Sequence, residues 1–385
     1  MSRSVCSLAI AAICAGAILS SGQVHSSTIE TKSAQSTSPA AYVYISQVAN
    51  GKGQVYGFTA SSSGALSLIS GSPFPYDLSY MAVNANLLFG VMGGTESDSG
   101  QVIESFSIGS TGALTFDTEE KVSDSGGGMI SVYVDRTGSS VYADYYNTNN
   151  DYLAFNVYPS NGTLDYVGTL DSGPPQGSPV SFIGNDQFAY SSSCYHYMPE
   201  IYGVERASGG SLSALQITPE LPAEKSGGFY CPGFAAADST NHLAIAMEPL
   251  TQQWTTDGPW QLATYTADSA GNLTTASTYS NMPSIGVGSV NDYKMSPSGQ
   301  ILAVGGTNGL QLFRFNGANP ITTLTGAITS SPIDQLFWDT TNHIYAISRS
   351  MNRFYVFQVT AKGVVQSPGS PHAMAGMQNL IVLPK

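Results

Sequence analysis

Apolar residues recur along this chain in short runs of four to six, rich in β-branched and aromatic side chains and separated by turn formers. The clearest stretch spans Ile333 to Gly369. Three runs, Gln335–Trp338, Ile344–Ser348 and Phe354–Val359, precede a weaker fourth at Val364–Ser367. Runs of this length and composition suit a pleated, half-buried surface. Between the first two lies Asp339-Thr340-Thr341-Asn342, whose short polar side chains bond their own backbone and close a tight turn. Lys362-Gly363 supplies the positive φ that a second hairpin needs. The pattern predicts one four-stranded antiparallel sheet, its strands lettered a to d in chain order.

The same unit recurs upstream. Tyr42–Ser46, Val55–Ala60 and Leu66–Ile69 read as strands b, c and d of a first unit with no strand a before them. A second reads Tyr80–Val83, Leu87–Met92, Val102–Ile108 and Leu114–Asp117, and a third Ile130–Val134, Ser140–Asp144, Tyr152–Tyr158 and Leu164–Val167. The fourth is Val180–Ile183, Gln187–Ser191, Glu200–Glu205 and Leu212–Ile217. The fifth is Gly233–Ala237, Leu243–Met247, Gln261–Ala267 and Leu273–Ser277, and the sixth Asp292–Met295, Ile301–Gly305, Leu310–Phe315 and Ile321–Leu324. Ile333–Gly369 is the seventh. One run is left over at the C-terminus, Leu380–Leu383, a strand a without its sheet. It is the strand that the first unit lacks.

Seven sheets arranged radially, with the last strand completing the first sheet, close a ring and leave only short edges. The expected fold is therefore all-β: a seven-bladed β-propeller of four-stranded antiparallel blades. The repeat of about 49 residues lies in the range of propeller blades. The turns between strands c and d repeat too, as in Ser63-Gly64-Ala65-Leu66, Thr111-Gly112-Ala113-Leu114 and Ala270-Gly271-Asn272-Leu273. Six blades, with one repeat miscounted, is the alternative.

Composition narrows the partners. Only 10% of the 385 residues are charged, while Gly (41), Pro (20) and Tyr (22) are frequent, as in a folded all-β chain with a large core. The net charge is −13, from 26 acidic and 13 basic residues. With no Lys/Arg cluster to neutralise phosphates, nucleic acid and anionic membranes are poor partners.

The first residues read as a targeting segment. Arg3 is followed by an apolar stretch, Leu8 to Leu19, and small residues at Ser20 and Gly22 fit a cleavage site. Residues 1–22 are expected to be a signal peptide, 23–40 a Ser/Thr-rich linker and 41–385 one propeller domain, secreted or periplasmic and not membrane-inserted once cleaved. Cys6 and Cys14 leave with the signal, so Cys194 and Cys231 remain, and in an oxidising compartment such a pair forms a disulfide. A catalytic cysteine would need thiolate-stabilising neighbours that the sequence does not supply.

Several segments carry a family likeness: Ser61–Pro75 (SSSGALSLISGSPFP), Ser110–Phe116 and Ser367–Pro371 (SPGSP). With these units the chain from Tyr42 to Lys385 resembles the lactonase family of seven-bladed propellers, which includes 6-phosphogluconolactonases and cycloisomerase-type relatives. The resemblance implies a metal-independent lactone hydrolase with histidine, arginine and acidic partners at the mouth of the central channel. It also implies Pro-His at the start of inner strands, and this chain has one such pair, Pro371-His372. A repeated Trp-Asp, an Asp box, kelch Gly-Gly pairs, zinc-ligand spacing and a nucleotide loop are all missing.

Topology sorts the remaining polar residues. The a–b and c–d turns share one face and are short; His242 and His343 occupy the same place in DSTNH and DTTNH, as structural turn residues would. The opposite face carries the long loops Met92–Gln101, Ser193–Pro199, Met247–Trp260 and Ser348–Arg353, where function is usually placed. Lactone hydrolysis needs a base to activate water and a cation to hold the oxyanion. The candidates are His196 or His372 with Glu200 or Glu248, plus Arg349. Arg353, Asp292 and Asp334 are candidate binding residues, and Tyr145, Trp254 and Trp260 could stack on a sugar ring. No cofactor or metal is called for, and a monomer is expected. Three functions stay open at this point: a secreted sugar-lactone hydrolase, a non-catalytic propeller binding a glycan, peptide or partner protein, and an envelope scaffold.

Overall fold

Middle strands of these sheets have both faces covered, so they read as unbroken apolar runs, whereas outer strands alternate. Strand b of the fourth sheet, Phe188–Ser193, and of the seventh, His343–Ser348, are buried at every position. The outer strand Leu114–Lys121 buries chiefly its first residue. The computed structural model describes residues 38–49, 51–92, 102–122, 128–146, 151–171, 180–194 and 198–385. Among them no helix is formed, and none is long and apolar enough to cross a membrane.

Seven antiparallel sheets form, each with its strands in the order a-b-c-d. Blade 1 is Met377–Pro384, Ala41–Ala49, Lys52–Ala60 and Leu66–Leu68; blade 2 is Leu78–Asn84, Leu87–Met92, Val102–Ile108 and Leu114–Lys121. Blade 3 is Gly128–Val134, Ser140–Tyr146, Asp151–Val157 and Leu164–Leu170, and blade 4 is Ser181–Phe182, Phe188–Ser193, Glu200–Arg206 and Leu212–Leu215. Blade 5 is Phe229–Ala237, His242–Leu250, Gln261–Ala267 and Leu273–Thr274. Blade 6 is Val290–Met295, Ile301–Gly306, Gly309–Asn316 and Asn319–Thr323, and blade 7 is Gln335–Trp338, His343–Ser348, Arg353–Thr360 and Gly363–Gln366. The closure expected from the leftover strand is present. Leu380 pairs with Ile45 and Leu383 with Tyr42, and the Lys385 amide donates to the Ala40 carbonyl.

The abundance of tyrosine has a structural reason. Tyr44 of blade 1 donates its hydroxyl to the Gly112 carbonyl of blade 2, Tyr142 of blade 3 to Gly210 of blade 4, and Tyr190 of blade 4 to Gly271 of blade 5. Each strut runs from a buried strand b to the c–d turn of the next blade. Gly112, Gly210 and Gly271 hold φ of +85°, +89° and +82°, which only glycine adopts without strain. The repeated Gly-x-Leu turn is thus an inter-blade contact as well as a hairpin.

The two DxTNH turns behave as expected for structural turns. Asp339 is fully buried and accepts from His343 Nδ1 at 2.8 Å, from Thr341 Oγ1 at 2.9 Å and from the Tyr345 hydroxyl at 3.0 Å. Burial opposes the Asp339 charge, but the His343 and Thr341 hydrogen bonds outweigh it and hold the carboxyl below the usual carboxylate range. Asp238, Thr240 and His242 repeat the arrangement in blade 5.

Candidate functional site

The inner strands surround an axial cavity of about 610 Å³, a volume suited to a small molecule. Its wall is held by side chains that reach from one inner strand to the next. Asp292 Oδ2 accepts from the Leu336 amide at 2.8 Å, Gln335 Oε1 from the Leu380 amide at 2.8 Å, and Asn379 Oδ1 from the Met81 amide at 3.1 Å. The edge of each inner strand faces the axis and has no further strand to pair with, so these side chains take over part of the ladder's work.

Two cations enter the same wall, each beside a carboxylate. Lys294 Nζ lies 3.0 Å from Asp292 Oδ1 and 5.3 Å from the centre of the Phe337 ring. The Asp334 carboxylate accepts the Arg349 amide at 2.7 Å and faces its guanidinium at 3.9 Å. Arg349 also donates from Nε and a terminal nitrogen to the Gln378 carbonyl, at 3.1 and 2.6 Å. The described cavity wall therefore carries two positive and two negative groups and is formally neutral.

Blade 4 departs from the others. The sequence suggests an inner strand over Val180–Ile183, but only Ser181–Phe182 pairs. In this blade Ser191 and Ser192 of the second strand line the cavity, a role that inner strands fill elsewhere among the described residues. Behind this sector lies Asp144, fully buried in strand b of blade 3 and directly opposite Ser131 of the inner strand. Burial pushes its carboxyl up to about 7.

The expected site residues separate in space. Arg349, Asp334 and Asp292 meet at the cavity. His196 lies outside the described residues. His372 falls in a short additional strand, His372–Ala373, paired with the third strand of blade 7 and packed on Phe354, so it does not start an inner strand. Burial lowers its pKa. Arg353, opposite Ala373, is exposed. Glu200 is exposed at the start of a third strand, and Glu248 pairs with Cys231 and accepts from Thr256 Oγ1 at 2.8 Å. Among the described candidates for catalysis, His372, Glu200, Glu248 and Arg349, it is Arg349 that lines the cavity, and no hydrogen bond or ion pair joins His372 to Glu200, Glu248 or Arg349.

The aromatic candidates each pack against other apolar or aromatic residues. Tyr145 is buried between blades 2 and 3, Trp254 packs at a tilt against Phe229 with ring centroids 4.1 Å apart, and Trp260 packs behind Phe234, which itself lines the cavity. Lys294, Gln335, Asn379, Ser131, Tyr133 and Asp144 were not singled out by sequence. For Asp144 a signal was available, since an acid inside the apolar run at 141–145 is unusual for a buried position. No group of three His, Cys, Asp or Glu side chains among the described residues could hold a metal ion.

No protein-family model matches the chain, and no curated protein matches it by sequence. Its fold, however, is shared by solved structures. A protein from Lactobacillus plantarum superposes with a TM-score of 0.64 at 15% identity, covering 90% of this chain and 99% of that one. A candidate 6-phosphogluconolactonase of Bacteroides fragilis gives 0.65 at 12% identity, covering 91% and 99%. The periplasmic gluconolactonase of Pseudomonas aeruginosa gives 0.64 at 12% identity, covering 89% and 99%. Identities this low speak for the fold alone.

Proposed function

We propose that the axial cavity takes a small uncharged sugar lactone and that the protein hydrolyses it. The observation that carries this reading is the neutrality of the wall: Lys294 and Arg349 already face Asp292 and Asp334. A doubly charged phosphosugar would have to compete with both carboxylates, whereas a neutral lactone displaces nothing. In such a reaction water attacks the lactone carbonyl carbon and gives its proton to Asp334. The Arg349 guanidinium or the Lys294 ammonium holds the oxyanion, and as the carbonyl re-forms the C–O bond to the ring oxygen breaks and that oxygen takes the proton back from Asp334. The fold shared with a gluconolactonase and a candidate 6-phosphogluconolactonase supports the substrate class. The Cys194–Cys231 disulfide supports an oxidising compartment, in line with export by residues 1–22.

The test is proton release from glucono-δ-lactone at constant pH. Wild type should exceed the spontaneous rate, and Arg349→Ala and Lys294→Ala should each lower turnover by ~10²-fold, the scale of losing one oxyanion partner. A wild-type rate no better than buffer would end the hydrolase reading and leave a ligand-binding propeller.

A further inference from the structure

At the seam between blades 3 and 4 the axial cavity runs into a cluster of buried polar groups that the fold leaves unsatisfied. Ser131 Oγ, the Tyr133 hydroxyl, Ser192 Oγ and both carboxylate oxygens of Asp144 are buried without a hydrogen-bond partner. Ser131, Tyr133 and Ser192 line the cavity, and Asp144 stands directly opposite Ser131 across the strand pair, so the two side chains share one face of the sheet. That face looks towards blade 4, because Tyr142, two residues before Asp144, packs on Phe182 with ring centres 5.6 Å apart. Phe182 ends the two-residue inner strand, and Ser191 and Ser192 of the second strand of its blade reach the cavity wall beside Val180.

Buried polar groups are almost always paired, and one stranded group calls for an explanation. Several in a single sector of a cavity wall have a common one: a ligand completes them. The chemistry of the set defines that ligand. Hydroxyls both donate and accept, and a carboxylate accepts, so the complement is a molecule rich in O–H groups. An anion would meet Asp144, a metal ion would find one carboxylate only, and an apolar molecule would leave every group stranded.

We infer that this alcove is a hydroxyl-reading subsite, in which Ser131, Tyr133 and Ser192, backed by Asp144, receive adjacent hydroxyls of a neutral polyol ring. It rests on the reading of the axial cavity as a sugar site and assigns which wall chooses the sugar. The opposite wall, with Lys294 and Arg349, is left for the carbonyl end.

The probe is 1,5-anhydro-D-glucitol, which keeps the ring hydroxyls and has no carbonyl to hydrolyse. Calorimetric titration of wild type should give saturable binding, and tetrahydropyran, the same ring without hydroxyls, should give none. Ser131→Ala, Ser192→Ala and Asp144→Asn should each weaken the polyol about 10-fold, the usual worth of one buried hydrogen bond. All three are near-isosteric, and their thermal transitions show whether each variant is folded. Equal binding of tetrahydropyran, affinities unchanged within about twofold in every folded variant, or a crystal structure at saturating polyol with only water in the alcove would overturn the assignment. The two readings separate cleanly. Lactone hydrolysis with polyol binding indifferent to the three substitutions keeps the hydrolase and ends the subsite. Polyol binding lost on substitution, without lactone hydrolysis, does the reverse.

Discussion

Cys194 and Cys231 are joined by a disulfide, with their Cα atoms 5.4 Å apart, and the bond ties the end of the second strand of blade 4 to the inner strand of blade 5. It lies beside the shortest inner strand among the described residues, Ser181–Phe182 of blade 4. The covalent link braces strand b of blade 4 against the neighbouring blade.

Replacing both cysteines with serine should therefore destabilise the propeller by about 4 kcal/mol on the chain-entropy account of a loop this long. Thermal or denaturant unfolding of the variant beside non-reduced wild type measures the difference. A non-reduced digest should also yield one peptide pair carrying Cys194 and Cys231. An unchanged transition midpoint would mean that packing alone holds the seam.

Removing Met377–Lys385 deletes the inner strand of blade 1 and exposes the edge of Ala41–Ala49. It also strips away Leu380 and Val382, buried in the core between blades 7 and 1. Loss of the cooperative transition, or aggregation through the open edge, is the expected result in calorimetry and light scattering. A truncated chain that melts like wild type would show that the ring does not depend on its closure.

Asp144 makes stability depend on pH in a defined direction. Its folded pKa is raised from 3.8 to about 7 by burial, so the folded state keeps a proton that the unfolded chain releases near pH 4. This favours folding less and less as pH rises from about 4 to about 7, a loss on the order of 4 kcal/mol. Asp144→Asn removes the titration. The variant should be more stable than wild type at pH 8, with the gap closing towards pH 4. Parallel melting curves across that range would show that Asp144 titrates normally.

The tyrosine struts predict a paired result. Tyr190→Phe leaves the Gly271 carbonyl without the hydroxyl 2.7 Å away and should cost about 1–3 kcal/mol. Gly271→Ala should cost at least as much for a different reason, because φ is +82° and a new Cβ would lie 3.0 Å from Leu215 and 3.1 Å from Phe188. Chemical denaturation of the two single variants checks both. If neither shifts the midpoint, the inter-blade strut adds nothing to stability.

Much of the architecture was legible because its signals are local. Alternation within a strand, Gly at the turns and a repeat near 49 residues each report on a few neighbouring residues, and together they specify seven four-stranded sheets. Ring closure was legible too, since an orphan strand at Leu380–Leu383 and a first unit lacking its inner strand admit one simple pairing. The disulfide followed from there being one cysteine pair downstream of the N-terminal segment. The signal peptide and linker fall on residues 1–40, nearly all outside the described part of the chain.

The site was legible only by face. Residues named for the loop face were placed there by topology, but depth along the blade was not readable. His372 lies beside an outer pair of strands while Arg349 reaches the axis, although both belong to blade 7. The difference is set by where a strand stops, and that depends on packing rather than on any one residue. Asp292 was read as a binding residue, and it lines the cavity while its oxygens accept from Lys294 and from the Leu336 amide of the next blade.

By itself, then, the sequence determined the number, strand order and closure of the blades and the cysteine pairing, because each depends on short-range pattern or simple elimination. Tertiary structure alone decided the cavity: which inner edges meet at the axis, which charges neutralise each other there, and that Ser191 and Ser192 of blade 4 reach the wall in the sector of Asp144. Those relations join residues from blades far apart in the chain, and the energy of a buried charge or hydroxyl is set by whichever partner the closed ring happens to bring within about 3 Å.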